Sequence, residues 1–419
     1  MRAFLVSTMG VTCTAALVLP LAAPAGAAPD APARDSGLPG STQSLPLDAL
    51  PPPSARATGA PAGERGLAER QVRPFSLAGV VWDDVDAELH GTAQVRVRAP
   101  GTHRWSGWPD LETHNADHAP DPGSAERAAG AVKGSTAPLW VGPSDGVEVR
   151  VRPEAPGTRC GAPLPLPAGL HLELVDPGED PQEVTGTAGA TGRESGVLPA
   201  LDRAETEAAA GLAPAARPYI GPRPRIVTRK GWGADEKLRE KGFAYTRTVK
   251  AAFVHHTATG NTYRCSQAPS VIRGIYRFHV RSNGWRDLGY NFLVDKCGNV
   301  YKGRAGGVTR AVLGAHTLGF NTDTMGVAVL GTYRDSRPPA AAVTAISRLT
   351  AWKLGLSGAD PKGKVRLVSA GGGTYKKGRR VEMNVISGHR DGFATDCPGA
   401  RLYKKLGTTR TTAARLQGR

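Results

Sequence analysis

Between residues 75 and 175 apolar and polar side chains alternate in short runs separated by turn residues. In Gln94-Val95-Arg96-Val97-Arg98 and Val147-Glu148-Val149-Arg150-Val151-Arg152 every second side chain falls on one face, as in a strand with one side in a core and the other in water. Further β-type runs at 77–82, 139–141 and 170–175 predict a small antiparallel sandwich. Beyond residue 223 the pattern changes. The runs at 251–254 and 325–330 are apolar without alternation, as in strands covered on both faces. Val271, Ile272, Ile275 and Phe278 recur near a 3.6-residue period and predict a helix over 266–281. A second helix is expected from 340, after Pro338-Pro339, to 354, before Gly355, and a last one begins at 401. Residues 290–295 and 300–302 read as a hairpin about Lys296-Cys297-Gly298-Asn299, and 365–369 and 380–386 as a pair across a glycine-rich loop. The fold class is therefore α/β, a mixed β-sheet flanked by helices, preceded by a smaller all-β sandwich-like domain.

Segments without periodicity set the expected boundaries. Met1-Arg2, an apolar run to about residue 20 and the small residues Ala25-Gly26-Ala27 read as a secretory signal peptide over 1–27. Residues 28–72 read as a disordered linker, 73–178 as the β-domain, 179–222 as an interdomain linker with a short helical segment near 203–210, and 223–419 as the second domain. With 53 glycines and 34 prolines, turns and linkers are plentiful.

Charge divides along the same line. The formal net charge is +16, yet residues 1–216 carry 16 basic and 26 acidic side chains and residues 217–419 carry 37 and 11. The basic half has one compact cluster, Lys376-Lys377-Gly378-Arg379-Arg380, and no aromatic-interleaved motif of a nucleic-acid binder. With an export signal and no membrane anchor in the mature chain, the expected location is extracellular, at the cell wall, where the basic hairpin faces anionic wall polymers.

Cysteine and histidine carry the chemistry. Cys13 falls in the signal segment; Cys160, Cys265, Cys297 and Cys397 remain. Cys265 precedes a predicted helix and Cys297 sits in a hairpin turn, so a Cys265–Cys297 disulfide is expected in an oxidising compartment, with Cys160 left over. Gly388-His389-Arg390-Asp391 leads to Cys397-Pro398-Gly399, setting an imidazole and a thiol eight residues apart on one loop. Zinc suits that pair, and the strand ending in His255-His256 is the source for a third ligand. Each half alone reads equally well as packed side chains. His90, His103, His114, His118 and His171 share no metal-ligand spacing and read as ordinary imidazoles. Trp82, Trp105, Trp108 and Trp140 read as core ahead of a sugar-stacking platform, and Asp83, Asp84, Asp86 and Glu88 as a solvated turn ahead of a calcium site.

Taken together, His255-His256-Thr257, Asp287-Leu288-Gly289-Tyr290-Asn291-Phe292, Gly314-Ala315-His316 and the His389-to-Cys397 loop resemble, in order, the peptidoglycan recognition protein and type 2 N-acetylmuramoyl-L-alanine amidase family, over about residues 223 to 406. The resemblance implies a zinc ion on His255, His389 and Cys397, Tyr290 as the catalytic tyrosine, Thr395 beside the scissile carbonyl, and His316 and His256 near the substrate. It further implies hydrolysis of the amide between N-acetylmuramic acid and L-alanine of peptidoglycan. Members that bind without cutting typically lack the cysteine found here at 397. In Lys302-Gly303-Arg304-Ala305-Gly306-Gly307 the Gly-Trp pair of animal members is missing, which leaves the stem-peptide type open. A non-hydrolytic binding module and a zinc peptidase cutting within the stem peptide are the competing readings.

Overall fold

The computed structural model describes residues 40–50, 63–113, 115, 117–154, 164–180, 196–211 and 219–419. The expected signal peptide at 1–27, His114 and Cys160 lie outside the described residues.

The N-terminal domain is all-β. Ser41–Pro46, His171–Asp176, Arg65–Trp82, Leu139–Pro153, Gly91–Arg98 and Asp110–Leu111 neighbour one another in that order, and every pairing is antiparallel. Arg65–Trp82 runs along Leu139–Pro153 with register shifts between Leu67 and Leu77. Such shifts bend a strand, and both ends of this one line a single core with Phe75, Val80, Trp82, Val95, Val149, Leu172 and Leu174. Trp82 and Trp140 are core, as the composition suggests, while Trp105 and Trp108 lie half-exposed under Arg96 and Arg150.

Two expected linkers prove partly ordered. Within 28–72, Ser41–Pro46 pairs along His171–Asp176 and the long strand begins at Arg65. Ser41-Thr42-Gln43-Ser44 is polar and held by edge pairing and by the Gln43 amide on the Arg73 backbone, so no apolar alternation betrays it. Within 179–222, Val197–Leu198 adds an edge strand to the second sheet, and Asp202 caps the helix Arg203–Ala209 through a reciprocal capping box with Glu205.

The second domain is built on a mixed sheet ordered Ile386–Gly388, Ala251–His256, Thr324–Val329, Phe292–Val294, Val300–Lys302, Ile226–Val227 and Val197–Leu198. Ala251–His256 lies between two parallel neighbours and is buried along its whole length, which explains its unbroken apolar lead-in. One face is covered by Ala340–Gly355 and Leu406–Gln417, whose Ile346, Leu349, Trp352 and Leu406 pack on Val254, Val294 and Val327. The other face carries Ala268–Arg277, which continues as a π-turn over Phe278–Ser282.

That helix also receives the N-terminal domain. Leu77, Val81, Trp140 and Val175 share one buried cluster with Val271, Ile272 and Ile275. Burial of each such apolar side chain contributes about 1.5–3 kcal/mol. The approach is close: a Cβ on Gly79 would come 2.7 Å from the Phe278 ring, and one on Gly274 would meet Leu77 at 3.2 Å. The expected Cys265–Cys297 disulfide is formed and ties the start of the helix to the hairpin turn across 32 residues. Replacing both cysteines by alanine is expected to cost about 3–4 kcal/mol, chiefly by loosening the unfolded chain, as read from urea unfolding; an unchanged midpoint would argue that the link does not constrain the fold.

Candidate metal centre

Strand ends deliver the donors. His255 sits at the carboxyl end of Ala251–His256, and His389 follows Ile386–Gly388, which pairs in parallel with that strand. Cys397 returns on the loop after His389, with its N–H donating to Thr395 Oγ1 at 3.1 Å and its carbonyl accepting from Arg390 N–H at 3.0 Å. A fourth group arrives from the other domain. His118, on the loop that follows Asp110–Leu111, brings one donor atom into the same cluster, and the donors of His118, His255, His389 and Cys397 all lie within 4.8 Å of one another.

The spacing suits a small tetrahedral cation. Cys397 Sγ is 3.7 Å from His118 Nε2 and 3.8 Å from His255 Nδ1. Zinc bonds of about 2.3 Å to sulfur and about 2.05 Å to nitrogen at a tetrahedral angle would set sulfur and nitrogen about 3.6 Å apart. Each imidazole is oriented by its other nitrogen. His118 Nδ1 is 2.8 Å from Asp117 Oδ1, His389 Nε2 is 3.2 Å from the Asp117 carbonyl, and His255 Nε2 is 3.5 Å from Thr317 Oγ1. That leaves His389 Nδ1 buried without a hydrogen-bond partner, as a lone pair kept for a cation would be.

Electrostatics points the same way. Burial first, then the neighbouring imidazoles of His389 and His118, hold His255 well below the usual histidine range, so it is a neutral donor. Burial likewise brings His389 down to about 3, against the pull of Asp117. Burial pushes the Cys397 thiol up, and Asp117 adds to the effect, so a thiolate here needs the charge of a cation beside it. Burial would raise Asp117 too, but the facing His118 and His389 imidazoles and hydrogen bonds from His118 and Thr395 hold its carboxyl well below the carboxylate range.

Tyr290 stands just before Phe292–Val294, its ring 5.5 Å from that of His255 and 5.8 Å from that of His118. Burial, reinforced by Cys397 and Asp117, pushes its hydroxyl pKa well up, so the group keeps its proton. Tyr290 and Thr395 both border a small space beside His118 and Cys397, which measures about 10 Å³.

The sequence expectations for His316 and His118 need correction. His316 does not line a groove: it is fully buried behind His255, with ring centroids 5.3 Å apart, in a space that exists because positions 314 and 326 are glycine. A Cβ at either position would come 2.5 Å from the His316 ring. His256 borders the small space beside His118, Tyr290 and Cys397, and its Nδ1 accepts the Tyr333 N–H at 3.1 Å. His118, an ordinary imidazole by its sequence context, sits among the donors, with Asp117 holding it. Asp391, expected in a turn network, accepts from Gly388 N–H at 2.9 Å and from the Tyr403 hydroxyl at 2.5 Å.

Comparison with known proteins covers both domains. Residues 30–181 match the Rv3811 N-terminal galactose-binding domain-like family, and residues 245–400 match the N-acetylmuramoyl-L-alanine amidase family. Peptidoglycan-recognition protein SC2 of Drosophila simulans is 31% identical over 185 residues, 44% of this chain and 85% of that protein. Peptidoglycan recognition protein 1 of Bos indicus is also 31% identical, over 43% of this chain and 80% of its own. Among solved structures, wild-type Drosophila PGRP-LB is similar at 25% identity with a TM-score of 0.35, covering 44% of this chain and 93% of that one. By its motifs and these relatives, the chain belongs to the peptidoglycan recognition protein and type 2 N-acetylmuramoyl-L-alanine amidase family.

Proposed function

We propose that this protein is a secreted, zinc-dependent N-acetylmuramoyl-L-alanine amidase that hydrolyses the amide joining N-acetylmuramic acid to the L-alanine of the peptidoglycan stem. The observation that carries the reading is the buried convergence of His255, His389 and Cys397 at tetrahedral spacing within a domain of the amidase family. A family that includes proteins that bind peptidoglycan without cutting it has no evident use for a buried thiol with two neutral imidazoles unless a metal is held there.

The protein's own groups divide the work. His255, His389 and Cys397 would hold zinc, which when bound polarises an amide carbonyl and makes water more acidic. Thr317 and Asp117 fix the two imidazoles so that one nitrogen of each faces the site. Tyr290, protonated because it is buried, offers a hydroxyl donor to the oxygen that gains charge as the amide carbon becomes tetrahedral. Thr395, anchored on Cys397 N–H, borders the same space and can hold the substrate beside it. Water adds across the C–N bond, leaving a lactyl carboxylate on the sugar and a free amino group on L-alanine.

The export reading rests on the N-terminal segment. Among the described residues no helix is long and apolar enough to cross a membrane. Purified peptidoglycan digested with the full chain, and with a His118→Ala variant that clears the side chain lying over the donors, should release intact stem peptides with free L-alanine ends. Chelation should abolish release and added zinc restore it, as read by mass spectrometry. Binding with no release from either protein would make this a recognition module, and cuts inside the stem would make it a peptidase.

A further inference from the structure

Resting on the zinc reading above, we propose that His118 is a fourth protein ligand, supplied by the N-terminal domain, which closes the metal site and keeps the amidase latent. A hydrolytic zinc keeps one position for water, whereas four protein ligands make a closed site. Here the fourth donor is in place. His118 Nε2 stands as far from Cys397 Sγ, at 3.7 Å, as His255 Nδ1 does at 3.8 Å. Its ring lies edge-on 4.3 Å from that of His389. Asp117 accepts from its Nδ1, the carboxylate–imidazole arrangement that orients metal-bound histidines.

The loop that carries His118 is fastened to the second domain on both sides of the site. The Asp117 carbonyl accepts from Leu318 N–H at 2.8 Å. Asp121 Oδ1 accepts from Gly319 N–H at 2.7 Å and Asn321 Nδ2 at 2.8 Å. Farther along, both oxygens of Glu126 take Arg304 at 2.8 Å in a pair that is buried on both sides. In this last pair an acidic side chain of the acidic half meets a cation of the basic half, so the charge asymmetry along the chain is used there. With the loop seated, the space of about 10 Å³ beside Tyr290 admits one water and no stem peptide. Hydrolysis therefore waits on displacement of the loop, and the N-terminal domain acts as an intramolecular inhibitor.

Cobalt(II) loaded into the full chain tests the ligand directly. The wild type should give the visible spectrum of a four-coordinate site with one sulfur and three nitrogens, unmoved by azide. His118→Ala should shift that spectrum, respond to azide, and release stem peptides from peptidoglycan at least tenfold faster than the wild type. His118→Phe, which keeps a ring in the same place, should show the spectral change even if the alanine variant folds poorly. A wild-type spectrum that responds to azide as the variants do, or a wild type that digests peptidoglycan as fast as His118→Ala, would overturn the proposal while leaving the amidase reading intact. Failure of every form to bind cobalt would overturn both.

Discussion

Replacing Cys397 by serine is expected to remove bound zinc and hydrolysis together, whereas Tyr290→Phe should keep the metal and lose only rate. Cys397 is the single sulfur of the cluster, and the hydroxyl that replaces it is a far poorer partner for a borderline-soft cation. Disturbing even the groups that orient metal ligands costs roughly 10–100-fold in affinity, so loss of a ligand should exceed that. Tyr290 is not among the grouped donors, and under the proposed function its protonated hydroxyl would serve the reacting oxygen. Removing one such donor lowers turnover by about 10²–10³-fold. Metal content after dialysis against buffered zinc, with stem-peptide release measured on the His118→Ala background, separates the two. If Cys397→Ser retained full zinc and full rate, the centre would lie elsewhere.

The second large effect belongs to Glu126. Its carboxylate is the charged group that hydrogen-bonds Arg304, whose guanidinium also meets the carbonyls of Leu288, Leu313 and Asp287. Burial would raise Glu126, and Arg304, with Arg286 beside it, instead holds the carboxyl below its usual range. Glu126→Ala removes the carboxylate that hydrogen-bonds this buried cation and leaves Asp287, already shared with Arg229, as the more distant counter-charge, a loss of about 3–5 kcal/mol if the segment stays seated. The chain can reduce that loss by lifting the segment and letting water reach Arg304. Hydrogen exchange should therefore quicken across residues 117–135 while the amidase sheet stays protected. Unchanged exchange with an unchanged urea midpoint would show that the ion pair does not hold the segment.

How much of this the sequence reveals depends on the range of the interaction. Strands and helices set by local period, such as Ala251–His256 and Ala340–Gly355, are legible because their neighbours cover whole faces. The grouping of His255 with His389 and Cys397 is legible because two short motifs each end a strand of the same parallel pair. His118 is not, since its partners lie 137 to 279 residues away on another domain, and nothing in Asn115-Ala116-Asp117-His118 repeats a ligand spacing. The nearest signal is the opposite charge of the two halves, which points to contact without naming residues. His316 misleads for a related reason: its burial depends on Gly326, beyond its own motif. The polar edge strand Ser41–Pro46 is hidden because backbone pairing leaves no trace in side-chain pattern.

Helix Ala268–Arg277 is wrapped by apolar side chains from both domains, with Gly274 under Leu77 on one side and Ile272 and Ile275 among the residues of the mixed sheet on the other. A substitution on it answers to two neighbours at once, so the halves cannot drift apart or be exchanged for unrelated modules without repacking the same ten residues. The core of each domain is thus completed by the other, and a change that loosens this helix should lower the stability of both together.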